Sequence, residues 1–315
     1  MVAQCEKLKY LSENRTVLES KKHNEERAKV AVVSKMFPGA LFIGSSGIQA
    51  LLRDRNDWVI ANQIDTTKDA DIVMRSGSLN GIASSMGATP SEISLIETRR
   101  ISFGSLGITD KTVEVPFKLV RLSSEYVPAQ QVFDNVDIFT PKTGVGPIPV
   151  TEEVFGSATA VKFNEISVQV APMFFLFASQ ANPLALTEKR LNRLSFVLFQ
   201  FYGENGRESY EKEMKKSVDY ISLGSENVAR ELDANPSLRS VKELKDMTDY
   251  DGRVRKIPDR ILQKKKYFER SAALVGLDSA DAKAVVEIVS DLLSAFRKGT
   301  PSVQEVHEVP NIATV

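Results

Sequence analysis

Two periodicities run along this chain, and the change from one to the other divides it. Residues 4–36 set Leu8, Leu11, Leu18, Ala28, Val30, Val33 and Met36 at roughly helical intervals among Glu, Lys and Arg. That pattern predicts one or two amphipathic helices stopped by Pro38-Gly39. The apolar run Leu41-Phe42-Ile43 reads as a strand that breaks into Gly44-Ser45-Ser46-Gly47, with a helix expected to begin at Gly47 and continue through Ile48, Leu51 and Leu52. From 92 to 139 the period becomes two: Ile93, Leu95 and Ile96, then Ile101 and Phe103, then Val113, Val115, Phe117, Leu119 and Leu122, then the run 132–139. Ile166, Val168 and Val170 give one more strand, ended by Pro172. Beyond it the chain changes character. Residues 173–178 are continuously apolar, 184–201 are strongly helical, and the remainder to 298 reads as helices punctuated by Gly203, Pro236, Gly252, Pro258 and Gly276. Asp278, Ser279 and Asp281 suit the N-terminus of the last of these helices, because acceptors and negative charge stabilise its first turn. The expected class is α/β (α+β): a mixed β-sheet domain with flanking helices, then a helical C-terminal domain.

Candidate chemistry concentrates between residues 41 and 74. Thr66-Thr67-Lys68-Asp69-Ala70-Asp71 leads into Ile72-Val73-Met74, and in a strand Asp69 and Asp71 project from one face while Ala70 and Ile72 turn to the other. Two carboxylates held that way suit a divalent cation. The small-residue turn upstream offers backbone N–H groups, and a helix starting there favours phosphate. Asp137 in Asn135-Val136-Asp137-Ile138-Phe139 is placed to be a third acid, with Asp134, one face over, as its rival. Arg53 and Arg55 lie between the halves of the motif, where they could reach a phosphate or sit in a salt-bridged surface turn. The Gly/Pro-rich segment 141–149 is expected to be a loop framing the cleft.

These residues resemble the nucleotidyltransferase superfamily related to DNA polymerase β, whose members carry an apolar strand, Gly-Ser or Gly-Gly, Asp-x-Asp on a second strand and a third carboxylate on a later one. The Thr before the acidic pair is most like the minimal and abortive-infection (AbiEii-type) members. The similarity covers roughly residues 30–180, with a linker between the turn and the acidic pair that looks longer than in the most compact members. It implies that Asp69, Asp71 and Asp137 are catalytic and hold Mg2+ or Mn2+, that Gly44, Ser45 and Ser46 bind an NTP such as ATP, and that Lys189 on a later helix faces the nucleotide. The implied reaction moves a nucleoside monophosphate to an acceptor hydroxyl on an RNA 3′ end (tRNA-like), a protein or a small molecule, in a toxin or defence-type enzyme. The implied division is a catalytic domain with its N-terminal helix at 1–180, a helical domain at 181–299 and a tail at 300–315. The alternative is a catalytically silent nucleotidyltransferase-like module for binding or assembly, favoured if Asp137 points away from Asp69 and Asp71.

Composition narrows the mechanism. Lys+Arg and Asp+Glu each total 41 in 315 residues, so no global field draws the chain to nucleic acid or membrane and any such contact needs a local patch. The strongest is 253–270, with Arg253, Arg255, Lys256, Arg260, Lys264, Lys265, Lys266 and Arg270 around Tyr267 and Phe268, a candidate RNA contact or simply a solvated helix face. Two histidines and one cysteine make a His-centred triad, a His/Cys zinc site or an internal disulfide improbable chemistry for this chain. With no secretory leader pattern and no long apolar run, a cytoplasmic address without membrane contact is expected.

Overall fold

A computed structural model describes residues 30, 33–34, 37–53, 69–75, 95–96, 99–102, 112–115, 119–123, 135–141, 144–163, 166–181, 187–234, 236 and 249–295. A seven-stranded mixed sheet is built from β1 (Leu41–Ile43), β2 (Asp69–Val73), β3 (Leu95–Ile96), β6 (Leu119–Ser123), β7 (Asn135–Phe139), β8 (Thr159–Phe163) and β9 (Ile166–Val170). Its order is β3-β6-β7-β2-β1-β9-β8, and the five strands β7-β2-β1-β9-β8 form its central and far side. Strands β4 (Arg99–Ser102) and β5 (Thr112–Val115) pair separately.

The central strand owes its place to composition. Leu41, Phe42 and Ile43 are 3%, 0% and 1% exposed, so β1 is covered on both faces, as an all-apolar run requires. It pairs antiparallel with β2 and parallel with β9. Ala70 and Ile72 are fully buried on one face of β2 while Asp71 emerges on the other, as the period of two demands.

Helix α1 (Gly44–Arg53) follows β1 with no intervening loop. It starts at Gly44, not at Gly47, because Gly44 adopts φ +59 and so turns the strand directly into a helix, a conformation glycine tolerates without a Cβ penalty. Gly47 serves packing instead: a Cβ there would sit 2.7 Å from the Phe42 carbonyl oxygen and 3.3 Å from Leu176 Cδ2. The short α2 (Glu152–Gly156) precedes the β8–β9 hairpin, and α3 (Met173–Gln180) is buried along its whole length. The apolar run at 173–178 is therefore a core helix.

Helix α4 (Glu188–Ala234) packs against α3 and continues through Gly203, where an interruption is expected from sequence. Its break falls at Gly206, with φ 73 and ψ 176. Among the described residues four helices follow: α5 (Tyr250–Arg255), α6 (Ile257–Gln263), α7 (Lys265–Leu274) and α8 (Ser279–Ala295). Gly252 lies inside α5, whereas Pro258 sits in the first turn of α6, where its missing N–H costs nothing. Asp278 Oδ1 accepts the backbone N–H groups of Ala280 and Asp281, both at 2.8 Å, and caps α8. One hydrophobic core runs from Val30, Val33 and Phe37 through the sheet to Val285, Val289 and Leu293. Among the described residues, no helix is long and apolar enough to cross a membrane.

Candidate functional site

The chemistry converges at the end of the sheet where β1 stops and β2 and β7 begin. Strands β2 and β7 run parallel, and their register places Asp71 beside Asp137 and Asp69 beside Asn135. Laterally paired residues of neighbouring strands share a face and lie about 5 Å apart along the hydrogen-bond direction, so Asp71 and Asp137 form a pair of carboxylates on adjacent strands. On its other side Asp71 is paired with Ile43, the last residue of β1. Ile138 and Ile72, which alternate with the acids, are fully buried, and that burial fixes which face Asp137 and Asp71 present. Asp137 is itself 8% exposed. The side chain of Asp69 and the whole of Asp134 lie outside the described residues.

Gly44 lets the turn approach the acids. A Cβ at this position would fall 2.3 Å from Asp71 Oδ2, so only glycine brings the start of α1 against that carboxylate. Ser45 and Ser46 are 7% and 0% exposed. Ser46 Oγ donates to the Ile43 carbonyl at 3.0 Å and accepts the Asp71 N–H at 3.4 Å, tying the first turn of α1 to β2. That hydroxyl is engaged in holding the site together, which leaves Gly44 and the backbone of Ser45 nearest the acids.

A cleft of about 60 Å³ is lined by Gly44, Asp71, Asp137, Gln180 and Arg190, with Ile43, Phe139, Ser179 and the loop residues Val145 and Gly146 completing its wall. At roughly 10–15 Å³ per water position, it has room for about four waters or an ion with part of its hydration shell. Val145 and Gly146 line this cleft from the 141–149 segment. Val145 and Ile148 bridge across its turn, and α4 holds it from outside through Asn227 Nδ2, which donates to the Pro147 carbonyl at 2.8 Å.

Three lining residues come from helices that the sequence does not join to the acids. Gln180, at the end of α3, is 6% exposed, and its Oε1 has no hydrogen-bond partner among the described residues. Ser179 Oγ is taken up by the Leu176 carbonyl at 3.1 Å. Arg190, in the first turn of α4, lines the cleft, whereas the side chain of its expected neighbour Lys189 lies outside the described residues. The nearest sequence signal was the helical run at 184–201 with its basic residues. Its phase against the sheet, which selects Arg190, is set by packing on α3.

The donor set suits a hard cation. Carboxylate oxygens with an amide oxygen beside them are what Mg2+ or Mn2+ takes, and Mg2+ commonly binds through one or two carboxylates with the rest of its shell from water and phosphate. Among the described residues, no three Asp, Glu, His or Cys side chains cluster to hold a metal, and the described carboxylates at the cleft are Asp71 and Asp137.

Arg55 lies outside the described residues, as do the side chains of Arg53, Lys265, Lys266, Tyr267 and Arg270. Arg255, Lys256, Arg260 and Lys264 are exposed. Phe268 is not available to stack on a base: it is 7% exposed and packs edge-on against Phe199, ring centroids 5.3 Å apart. Comparison of the chain with family models, curated proteins and solved structures found no match.

Proposed function

We propose that the protein is a divalent-metal-dependent nucleotidyltransferase. The observation that carries this reading is the lateral pairing of Asp71 with Asp137 at the end of β1, with Gly44 pressed against Asp71. Asp71 and Asp137 would hold Mg2+ or Mn2+, with Asp69 as the further ligand that the resemblance to polymerase β-like nucleotidyltransferases implies. When bound, such an ion supplies Lewis-acid stabilisation of charge on the phosphoryl oxygens during in-line displacement. The backbone N–H groups at the start of α1 would face the β- and γ-phosphates, where the helix dipole favours negative charge. Arg190 adds a permanent positive charge on the same cleft. An acceptor hydroxyl attacks the α-phosphorus. The new O–P bond forms, the bond to pyrophosphate breaks, and the hydroxyl proton passes to solvent or to the Asp137 carboxylate.

Asp137 lines the same cleft as Asp71, which favours this enzyme over a silent module of the same shape. The test is transfer of label from α-labelled NTPs, each with Mg2+ or Mn2+, to a mixture of RNAs and proteins. Wild-type protein is expected to label an acceptor and Asp137→Asn to lose that activity by at least about 10²-fold. Failure of wild type to label any acceptor, with the chain folded and metal present, moves the reading to the silent module.

A further inference from the structure

Gln180 is a polar side chain at a place the chain otherwise fills with apolar ones. Helix α3 is buried along its whole length, residues 173–178 are all apolar, and only Ser179 and Gln180 at its end break that run. Gln180 is 6% exposed and lines the acid cleft together with Asp71 and Asp137. Its Oε1 is buried and has no hydrogen-bond partner among the described residues. Arg190 lines the same cleft, yet none of its N–H groups meets that oxygen. The neighbouring hydroxyl is committed elsewhere, since Ser179 Oγ donates to the Leu176 carbonyl at 3.1 Å. A buried acceptor left unmatched carries a desolvation cost, which a cation or donor arriving in the cleft would remove.

The surroundings select a cation. Asp71 and Asp137 bring two carboxylates to the cleft, and Gln180 is the last residue of α3, whose C-terminal end carries the partial negative charge of the helix. An amide oxygen is a hard, neutral donor of the kind Mg2+ and Mn2+ take beside carboxylates. It adds no charge to a pair of acids that already repel one another. The terminal torsion of a glutamine is broad and roughly two-fold, so the oxygen can turn toward the cleft while the rest of the side chain stays packed.

We propose, on the reading of Asp71 and Asp137 as a divalent-cation site, that Gln180 is a further ligand of that site, its amide oxygen joining the two carboxylates. The ion would then be held by residues of β2, β7 and the end of α3, and the unmatched acceptor is the ligand position waiting for it.

The test measures Mn2+ binding to the full chain, without nucleotide, from the electron paramagnetic resonance signal of the free ion. Wild type is expected to bind Mn2+ saturably. Gln180→Met conserves volume but removes the oxygen, so it should weaken Mn2+ at least about tenfold. In metal-free buffer the same variant should melt no lower than wild type, because it removes a buried acceptor that has no partner. A glutamine that only packs would give the reverse, a lowered Tm and unchanged Mn2+ binding. Gln180→His keeps the test decisive if Gln180→Met does not fold: imidazole suits Ni2+ better than Mn2+, so a histidine that replaces a direct ligand should raise the Ni2+ over Mn2+ preference at least about tenfold. Label transfer from α-labelled NTPs is scored separately. Wild type that binds Mn2+ through Gln180 but labels no acceptor leaves the ligand and removes the enzyme. Wild type that labels an acceptor while Gln180→Met binds Mn2+ as wild type does leaves the enzyme and removes the ligand. Unchanged Mn2+ affinity in Gln180→Met, an unchanged metal preference in Gln180→His, or no Mn2+ binding by wild type overturns the proposal.

Discussion

Replacing Gly44 by alanine separates the acid cleft from the fold that carries it. Gly39 and Gly44 both adopt positive φ, +78 and +59, so alanine at either should cost roughly 1–2 kcal/mol of stability through left-handed backbone strain. Their surroundings differ. An added Cβ at Gly39 meets no described atom within 4 Å, while at Gly44 it lies 2.3 Å from Asp71 Oδ2, about 1 Å inside ordinary contact. The Asp71 carboxylate can swing aside, so Gly44→Ala should melt within about 1 kcal/mol of Gly39→Ala. The chemistry should not be so tolerant. A displacement of about 1 Å in a reacting constellation costs about 10²-fold in rate. The assay is metal-dependent nucleotide transfer together with thermal unfolding in the presence and absence of Mg2+. Gly39→Ala should keep the activity and metal response of wild type, and Gly44→Ala should lose both while remaining folded. Two variants that behave alike in transfer and in metal response would refute the placement of Gly44 against a working carboxylate.

Two other outcomes follow from particular side chains. Changing Lys264, Lys265 and Lys266 together to Glu should weaken RNA binding and flatten its salt dependence by roughly one log–log unit for each phosphate no longer neutralised. Absence of any salt-dependent RNA binding in wild type would make this segment a solvated face and RNA an improbable acceptor. Asp219 is shifted upward from the ordinary carboxylate value of 3.8, first by burial and then by the nearby Glu153. A raised folded pKa gives a contribution fully present below 3.8 that is lost as pH rises through the folded value, so ionised Asp219 weakens the fold at neutral pH. Asp219→Asn should therefore raise Tm at pH 7, by an amount that shrinks to nothing as pH falls below the ordinary carboxylate range; an increase that persists unchanged at pH 3 would contradict this account.

What the sequence made legible was set by how local each signal is. The strand at 41–43 follows from its continuous apolar run, and the face taken by Asp71 on β2 and Asp137 on β7 follows from alternation, because a one-residue slip would turn these aspartates to the core face that Ile72 and Ile138 occupy. Strand β8 escaped because alternation fails on an edge: Val161 is buried while Thr159, Ala160 and Lys162 are exposed, which leaves a single apolar mark. The start of α1 was misplaced by three residues because glycine is a weak helix former, yet Gly44 is needed there for its φ and for its approach to Asp71. Gly203 looked like a helix end and is not one; Gly206, three residues on, is the break, and nothing local distinguishes the two. Gln180 and Arg190 reach the cleft only because α3 and α4 pack together over the sheet, a fact that periodicity does not encode. Phe268, which reads as an aromatic among basic residues, is a core side chain for the same reason.

The central claim is that Asp71 and Asp137 act as one metal site, and titration of the wild-type chain with Mg2+ and a non-hydrolysable NTP tests it most directly. A ligand present at 100 times its Kd stabilises a folded protein by about 2.7 kcal/mol, a shift that thermal unfolding resolves easily. Wild type should show it. Asp71→Asn and Asp137→Asn should each abolish it, and the double variant should lose no more than either alone, because residues that act as a unit are not additive. A wild-type protein with no such stabilisation, or single variants that retain it, would contradict the account.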